Sequence, residues 1–260
     1  MVKGGEKLIH QYIGTIGSGK SYHALEDILA ALEKGKFVLA NFPLKFTDGM
    51  IRKGYADKFM YVPDEFLLGT KGVSFLFQLS KKMEFYEKYG EGACLVVIDE
   101  AGNHYPPEEN SSYSQRLWKT FYTQSRKLGF DFILVCQEDK QINRTIRSCV
   151  EYKVIHRKAN NVAPFKWLPF TIFMYVTFWA QTKQRLNSSS SIFVKRFAAL
   201  YNTDQLFGNA EQKFKLDLAE LVDLNLDFGN CKTEVEDHDE DKKNRFKNRG
   251  IFGRLTKKTS

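Results

Sequence analysis

The chain has 260 residues, of which 43% are apolar and 27% charged, so it is long enough to bury a full core and has the composition of a globular protein. Its net charge of +8 favours an acidic partner, nucleic acid first and anionic lipid headgroups second, with a solvated basic surface as the alternative. The first residues lack the apolar core of a signal peptide, and the four cysteines show no zinc-like spacing.

The first 40 residues predict a strand–loop–helix–strand unit. Residues 8–13 form a short apolar run that indicates a strand, and a glycine-rich loop follows it directly. Residues 20–33 place apolar side chains at helical spacing, and Gly35 ends the predicted helix. Residues 37–40 indicate a second buried strand, which Asn41-Phe-Pro43 breaks. Such a unit requires a right-handed crossover in a parallel sheet.

The middle of the chain continues this alternation of strands and helices. We predict strands at 93–98, 130–136 and 152–156, helices at 75–89 and 114–128, and loop with short elements at 48–72. The alternation therefore predicts an α/β fold class with three layers and a mainly parallel central sheet.

After residue 160 the pattern changes to that of a hairpin. Two strands, 170–180 and 192–200, are predicted on either side of a polar stretch that includes Ser188 to Ser191. The uncharged stretch 167–182 is too short and too polar for a membrane-spanning helix, and its composition favours β-structure; a position at a membrane interface is the alternative. We predict one large domain at 1–207 with its hairpin at about 168–203, a short helical or irregular segment at 208–229, and a charged flexible tail at 230–260.

The glycine-rich loop carries the strongest chemical signal. Gly14 to Ser21 reads G-T-I-G-S-G-K-S, a Walker A motif between a predicted strand and a predicted helix. In such a loop the backbone N–H groups surround the β-phosphate, the Lys20 ammonium neutralises phosphate oxygens, and the Ser21 hydroxyl ligates Mg²⁺. The predicted nucleotide-binding residues are Gly14, Thr15, Ile16, Gly17, Ser18, Gly19, Lys20, Ser21 and Tyr22.

Leu95 to Glu100 fits the Walker B pattern of four apolar residues that end in an acid. Asp99, at the carboxyl end of its strand, is predicted to hold the Mg²⁺ shell beside the P-loop. Glu100 is predicted to polarise the water that attacks the γ-phosphate. The alternative is a pair of acids that caps the next segment.

Further catalytic candidates follow the next strand. Gln137, at the end of the strand 130–136, is a candidate sensor of the γ-phosphate or of water, or a simple strand terminator. Arg126, Arg144 and Arg147 are candidates for a transition-state arginine or for phosphate contacts, with a solvated surface arginine as the alternative for each. Arg147 is the one we include among the catalytic residues.

Residues 116–158 contain ten Lys/Arg and four Asp/Glu, an excess of six positive charges. Such an excess binds backbone phosphates without sequence information and suits a protein that moves nucleic acid. The aromatic residues within it, Trp118, Phe121, Tyr122 and Tyr152, are expected to be mostly core.

Taken in order, these motifs resemble the zonular occludens toxin-like (Zot) ATPases. The segments that carry the resemblance are Gly14–Ser21, Asn41-Phe-Pro43, Val97-Ile-Asp-Glu-Ala101, Ser125 to Asp131, Gln137, Gln141 to Arg147 and Leu200-Tyr-Asn-Thr203, within about residues 5–207. These are assembly proteins of filamentous phages, a branch similar to the FtsK/HerA DNA-pumping motors. Toxin activity is not part of the expectation.

The resemblance implies an ATPase that uses ATP and Mg²⁺ to package or extrude single-stranded phage DNA. It implies phage assembly or coat proteins as partners, a homo-oligomeric ring, and a place in the host cytoplasm at the inner face of the inner membrane. Many members continue through a transmembrane helix, whereas a charged tail follows here, so attachment through a partner is expected. The alternatives are a small-molecule P-loop kinase and a nucleotide-binding scaffold without turnover.

Overall fold

A computed structural model of the chain describes residues 9–161 and 165–201. Within this part of the chain, eight strands form one sheet in the order β3-β2-β4-β5-β1-β6-β7-β8. The strands are β1 Ile9–Ile13, β2 Phe37–Ala40, β3 Phe59–Tyr61, β4 Cys94–Ile98, β5 Phe130–Cys136, β6 Tyr152–Lys158, β7 Ile172–Trp179 and β8 Arg185–Ile192.

The first six strands pair in parallel, and β7 and β8 continue the sheet in antiparallel pairing. In the centre, β1 lies between β5 and β6, with Ile13 opposite Cys136 on one side and Ile155 on the other. The carboxyl ends of β1, β4 and β5 therefore meet at one edge of the sheet, where α/β folds bind their ligands. The predicted fold class, a mainly parallel sheet extended by a hairpin, is confirmed.

The helices are α1 Lys20–Glu33, α2 Asp48–Arg52, α3 Asp64–Leu67, α4 Gly69–Met83, α5 Phe85–Tyr89, α6 Tyr113–Gln124, α7 Arg144–Arg147 and α8 Lys195–Ala198. Helix α1 buries its apolar stripe, including Leu25 and Ile28, because side chains three or four residues apart share one face. α6 brings Trp118 and Tyr122 into the core, where the Trp118 indole donates to the carbonyl of Gly69 in α4 at 2.9 Å. Helices α1 and α6 are thus amphipathic and buried on one side.

Two predicted helices end earlier than the sequence indicates. The helix expected at 75–89 is broken between α4 and α5 at Glu84, whose φ of 51° is left-handed. The helix expected at 114–128 ends at Gln124 and continues as a 3-10 turn up to Gly129. Apolar periodicity persists through both breaks, so the pattern alone does not reveal them. Residues 48–68 contain short elements as expected, and one of them is the edge strand β3. The last part of the predicted loop, from Gly69, is instead the start of α4.

The second strand of the hairpin is placed differently from the prediction. The strand expected at 192–200 is wrong: β8 is Arg185–Ile192, which includes the serine stretch, and α8 follows it. An edge strand forms its backbone hydrogen bonds with one neighbouring strand and needs no buried face. The side chains of β8 are therefore nearly all exposed, and its sequence shows no apolar alternation. The predicted β-structure within 167–182 is confirmed as β7.

The domain boundaries at 207, 208–229 and 230–260 lie outside the described residues and stay predictions. None of the helices in the described part of the chain is both long enough and apolar enough to cross a bilayer.

Candidate functional site: a P-loop beside two carboxylates

The loop between β1 and α1 approaches the backbone of two neighbouring strands closely. The Gly14 N–H donates to the carbonyl of Gln137, just after β5, at 3.2 Å. A Cβ on Gly14 would lie 2.7 Å from the carbonyl oxygen of His156 in β6 and 2.5 Å from the Ser18 hydroxyl. Only glycine fits there without displacing backbone, so the loop is fixed between β5 and β6.

The loop enters α1 through Gly19, which has a left-handed φ of 94°. A Cβ built on Gly19 would lie 2.4 Å from the ring of Phe173 in β7. Both the backbone conformation and the contact therefore require glycine. The hairpin strand β7 thus covers the start of the P-loop helix.

Lys20 is the first residue of α1, and its ammonium turns back into the loop. Its Nζ donates to the carbonyls of Gly14 at 2.7 Å and Thr15 at 3.1 Å. Burial lowers its pKa, while the carboxylates of Asp99 and Glu100 oppose that shift. The charged side chain is thus held at the centre of the loop, where a bound phosphate would be neutralised.

Ser21 and Asp99 join the two Walker motifs. The Ser21 hydroxyl donates to Asp99 Oδ2 at 3.0 Å, and the Glu100 N–H donates to Asp99 Oδ1 at 2.9 Å. Hydroxyl and carboxylate oxygens are the hard ligands that Mg²⁺ prefers, and it takes few of them from protein when phosphate oxygens and water supply the rest. The two residues predicted for metal therefore fit a magnesium ion.

Glu100 stands at the opening of the site. It is exposed and has a left-handed φ of 50°, unusual for a residue with a side chain. It lines a cleft of about 400 Å³ together with Asn103, Glu138, Lys140 and Gln141. An exposed carboxylate directly after Asp99 is placed to contact a water between the P-loop and this cleft.

A polar network behind Asp99 is not evident from the sequence. Asn41, directly after β2, accepts from the Asp99 N–H at 2.7 Å and donates to the Asp99 carbonyl at 2.9 Å. Its amide also donates to Asp64 Oδ1 at 2.8 Å, and His104 donates to the same oxygen at 2.9 Å. Burial alone would raise the pKa of Asp64, but these hydrogen bonds outweigh it and leave the pKa below its usual value.

Two histidines lie under the P-loop. His156 in β6 donates through Nδ1 to the carbonyls of Val154 at 3.1 Å and Ile13 at 3.2 Å. Its Nε2 is 2.9 Å from Nδ1 of His23 in α1. Burial, and next the neighbouring His23, lower the pKa of His156 to about 3, so the ring is neutral and accepts from His23. The spacing of His23 and His156 in the sequence does not predict that the two rings are in contact.

Gln137 lies beside the P-loop through its main chain: its carbonyl accepts from Gly14, and its N–H donates to Gln141 Oε1 at 2.8 Å. The arginines lie elsewhere. Arg147 donates to the Asp139 carbonyl at 3.2 Å and lies 3.9 Å from its carboxylate. Arg147, the last residue of α7, thus contacts the loop after β5, and the described residues give it no contact with Walker A or Walker B. Its catalytic role stays a prediction, as does the sensor role of Gln137.

Arg126 and Arg144 are also separated from the P-loop of their own chain. Arg126 precedes β5, at the opposite edge of the sheet, 4.0 Å from Glu91. Arg144 is exposed at the start of α7. The aromatic residues of the basic segment pack inside as expected: Trp118, Phe121 and Tyr122 are buried.

One family of known proteins matches the part of the chain that holds this site. The family model described as zonular occludens toxin (Zot) matches residues 8–183. No match is found among curated proteins.

Among solved structures, the N-terminal domain of zonular occludens toxin from Neisseria meningitidis is similar at 18% identity. The alignment covers 76% of this chain and 100% of that chain, with a TM-score of 0.48. The genome packaging NTPase B204 from Sulfolobus turreted icosahedral virus 2 is 15% identical over 72% of this chain and 97% of that chain, with a TM-score of 0.43.

A third solved structure is B204, the DNA-packaging ATPase from Sulfolobus turreted icosahedral virus. It is 13% identical over 72% of this chain and 97% of that chain, with a TM-score of 0.44. The family match, in contrast, rests on sequence and spans more than half of the chain, including both Walker motifs and all of β2 to β7. The chain therefore belongs to the Zot family.

Proposed function

We propose that this chain is an ATP-hydrolysing motor that packages or extrudes single-stranded DNA during filamentous phage assembly. The observation that carries the hydrolytic part is the contact between the two Walker motifs. Ser21 donates to Asp99 at 3.0 Å, and the next residue, Glu100, is exposed at the adjacent cleft. A phosphate-binding loop, a magnesium-binding pair and a free carboxylate are the parts that hydrolysis needs.

The residues divide this work by position. The backbone of the loop binds the phosphates, and the Lys20 ammonium exchanges its bonds to the Gly14 and Thr15 carbonyls for phosphate oxygens. Ser21 and Asp99 would hold a Mg²⁺ ion, which would supply positive charge beside the phosphates. Glu100 accepts a proton from the attacking water. Asn41 holds the backbone of Asp99 from both sides and so keeps the carboxylates in place.

Charge and family support DNA as the substrate of the motor. On the sheet face opposite α1, a groove of about 470 Å³ is lined by Arg157, Lys158 and Arg185 together with apolar side chains from β6 and β7. Among the residues that the structure describes, no carboxylate lines this groove and none forms an ion pair with any of the three cations. Unpaired cations beside the exposed ring of Phe165 suit a single strand of nucleic acid.

We propose further that the chain acts as a homo-oligomer, in which an arginine of a neighbouring copy completes the site. This follows from the three candidate arginines, all of which lie away from the P-loop of their own chain. We place the protein in the host cytoplasm, at the inner face of the inner membrane, with phage assembly or coat proteins as partners. These parts rest on family resemblance.

The fate of the γ-phosphate tests the hydrolytic proposal. With ATP labelled at that position and Mg²⁺ present, we expect inorganic phosphate from the wild type and none from Lys20→Ala. Transfer of the label to a small metabolite would instead establish a kinase. Tight binding of ATP with the label left in place would establish a scaffold.

A further inference from the structure

The Asp99 carboxylate has one contact that the proposed mechanism does not use. The hydroxyl of Tyr201 donates to Asp99 Oδ2 at 3.0 Å, the same oxygen that accepts from Ser21 at 3.0 Å. Tyr201 lies 102 residues after Asp99 in sequence, beyond β8 and α8. The magnesium-binding carboxylate is therefore held between a hydroxyl from the P-loop helix and a phenol from the segment that follows the hairpin.

The phenol is held in place on several sides. Its ring packs against Phe42, with the centroids 4.7 Å apart, and Tyr201 forms an antiparallel bridge with Leu44. Next to the bridge, the Lys45 N–H donates to the Leu200 carbonyl at 2.9 Å. These partners directly follow Asn41, which brackets the backbone of Asp99. The same short segment thus fixes both the carboxylate's main chain and the phenol that contacts its side chain.

The chemistry of the two groups sets the direction of the hydrogen bond between Tyr201 and Asp99. A protonated phenol donates, and a carboxylate only accepts, so the direction of this hydrogen bond is fixed. Hydrogen bonds to a charged group are stronger than neutral ones, which suits a contact that orients a metal ligand.

The segment that carries Tyr201 is also tied to the P-loop helix. The hydroxyl of Tyr22 in α1 donates to the carbonyl of Ile192 at 3.1 Å and accepts from the Val194 N–H at 3.2 Å. The tyrosine ring packs against Phe193 and Phe197, with centroids 5.4 Å and 5.3 Å apart. The segment from Ile192 to Tyr201 therefore contacts the helix after Walker A at one end and the Walker B aspartate at the other.

We propose that Tyr201 is a positioning residue for magnesium: its hydroxyl orients the Asp99 carboxylate toward Ser21 and so sets the affinity of the site for Mg²⁺. The inference rests on the proposed nucleotide site but not on turnover. In this proposal Tyr201 is not itself a ligand of Mg²⁺, and it acts through its hydrogen bond to Asp99. Without the phenol, Ser21 is the one donor to Asp99 Oδ2 among the residues that the structure describes. The carboxylate then samples other rotamers, which weakens a site that needs a fixed oxygen.

The test is Tyr201→Phe, which removes the hydroxyl and keeps the ring on Phe42. Binding of a fluorescent ATP analogue is measured in EDTA and then across a titration with Mg²⁺. We expect the half-saturating Mg²⁺ concentration to rise about tenfold, the size expected for one charge-assisted hydrogen bond. Affinity in EDTA should equal that of the wild type. The control is Tyr86→Phe, because Tyr86 is 43% exposed on α5, away from the site.

An Mg²⁺ titration of Tyr201→Phe within twofold of the wild type would overturn the proposal. The proposal would also be overturned if Tyr201→Phe lost the same factor of affinity for the analogue in EDTA and in Mg²⁺. Such a result would mean that the hydroxyl of Tyr201 supports the fold of the site rather than the binding of Mg²⁺. These readouts test the role of Tyr201 independently of ATP hydrolysis. If the wild type binds Mg²⁺ and ATP but does not hydrolyse ATP, the motor function is refuted, while the Mg²⁺ titration of Tyr201→Phe still tests the positioning role.

Discussion

Lys20 and Glu100 act at different stages of the proposed reaction, and single substitutions distinguish them. Lys20 lies inside the loop, so its loss removes phosphate binding itself. Glu100 is exposed and makes no contact with the loop through its side chain among the described hydrogen bonds, so its loss leaves the phosphate-binding groups intact. Binding and hydrolysis are therefore separable at these two residues.

We expect Glu100→Gln to bind Mg²⁺ and ATP with wild-type affinity and to hydrolyse ATP about 10²- to 10⁴-fold more slowly, the usual contribution of a general base. The amide has nearly the same shape as the carboxylate but does not accept the proton of water. Single-turnover phosphate release and equilibrium binding measure the two steps. Hydrolysis at more than a tenth of the wild-type rate would show that another group activates the water.

At the residue scale, the sequence predicts the groups that meet the nucleotide but not those behind them. Gly14 to Ser21 and Asp99-Glu100 follow strands in a recognised order, so their convergence is predictable. Asn41 and Tyr201 reach Asp99 through pairings across 58 and 102 residues. The polar residue after β2 is a usable signal for Asn41, because β2 neighbours β4. For Tyr201 the only signal is family resemblance.

Among the elements, the hairpin β7–β8 is the part of the sheet that covers the P-loop. Phe173 lies over Gly19, and the phenol of Tyr175 donates to Glu26 in α1 at 3.2 Å. We expect Gly19→Ala to lower the free energy of unfolding by about 3 kcal/mol, through the clash with Phe173 and a strained backbone.

Gly17→Ala is the matched control for this substitution. Gly17 also has a positive φ, 73°, but a Cβ there meets nothing within 4 Å. Backbone strain alone should cost about 1 kcal/mol. Urea denaturation measures both variants. Equal losses for Gly17→Ala and Gly19→Ala would mean that Phe173 does not press on the loop.

The buried histidine in β6 makes stability depend on pH. The pKa of His156 is about 3 in the fold against 6.5 ordinarily, so the unfolded chain binds more protons between these values. Stability contributed by the neutral ring is complete above pH 6.5 and is lost as pH falls. We expect the free energy of unfolding to drop by about 2 kcal/mol between pH 6.5 and pH 5.

His156→Gln keeps a neutral polar group in β6 and should flatten this part of the pH profile. Urea denaturation at several pH values measures it for both proteins. An unchanged slope in the variant would assign the pH dependence to other groups.

At the element scale, the sequence predicts the parallel core better than its margins. Buried runs such as 94–98 and 130–136 are mostly apolar, because strands covered on both faces have no polar side. The edge strand β8 carries no such signal, and neither does the break at Glu84, where only the backbone changes. Pairing with β7, rather than composition, makes residues 185–192 a strand.

Considered as a whole molecule, the protein separates its phosphate chemistry from its basic groove. The P-loop lies at the carboxyl ends of β1 and β5, whereas Arg157 and Arg185 line the sheet face away from α1. Substitutions in this groove should therefore weaken DNA binding without altering ATP hydrolysis in the absence of DNA.

We expect Arg157→Ala combined with Arg185→Ala to weaken binding of single-stranded DNA. The slope of the logarithm of the binding constant against the logarithm of the salt concentration should become shallower by about 1.4. This is about 0.7 for each of the two phosphates that the variant no longer neutralises. Fluorescence anisotropy with a labelled oligonucleotide at several salt concentrations measures both. The control removes the same charge elsewhere, as Lys71→Ala with Lys81→Ala on α4. An equal effect of both pairs would show that only net charge matters.

The steady-state rate of phosphate release from Mg²⁺-ATP, with and without single-stranded DNA, tests the motor most directly. We expect slow release from the wild type alone, a severalfold increase with single-stranded DNA, and neither in Glu100→Gln. Release that single-stranded DNA leaves unchanged, at protein concentrations where the DNA is bound, would contradict a DNA-moving ATPase.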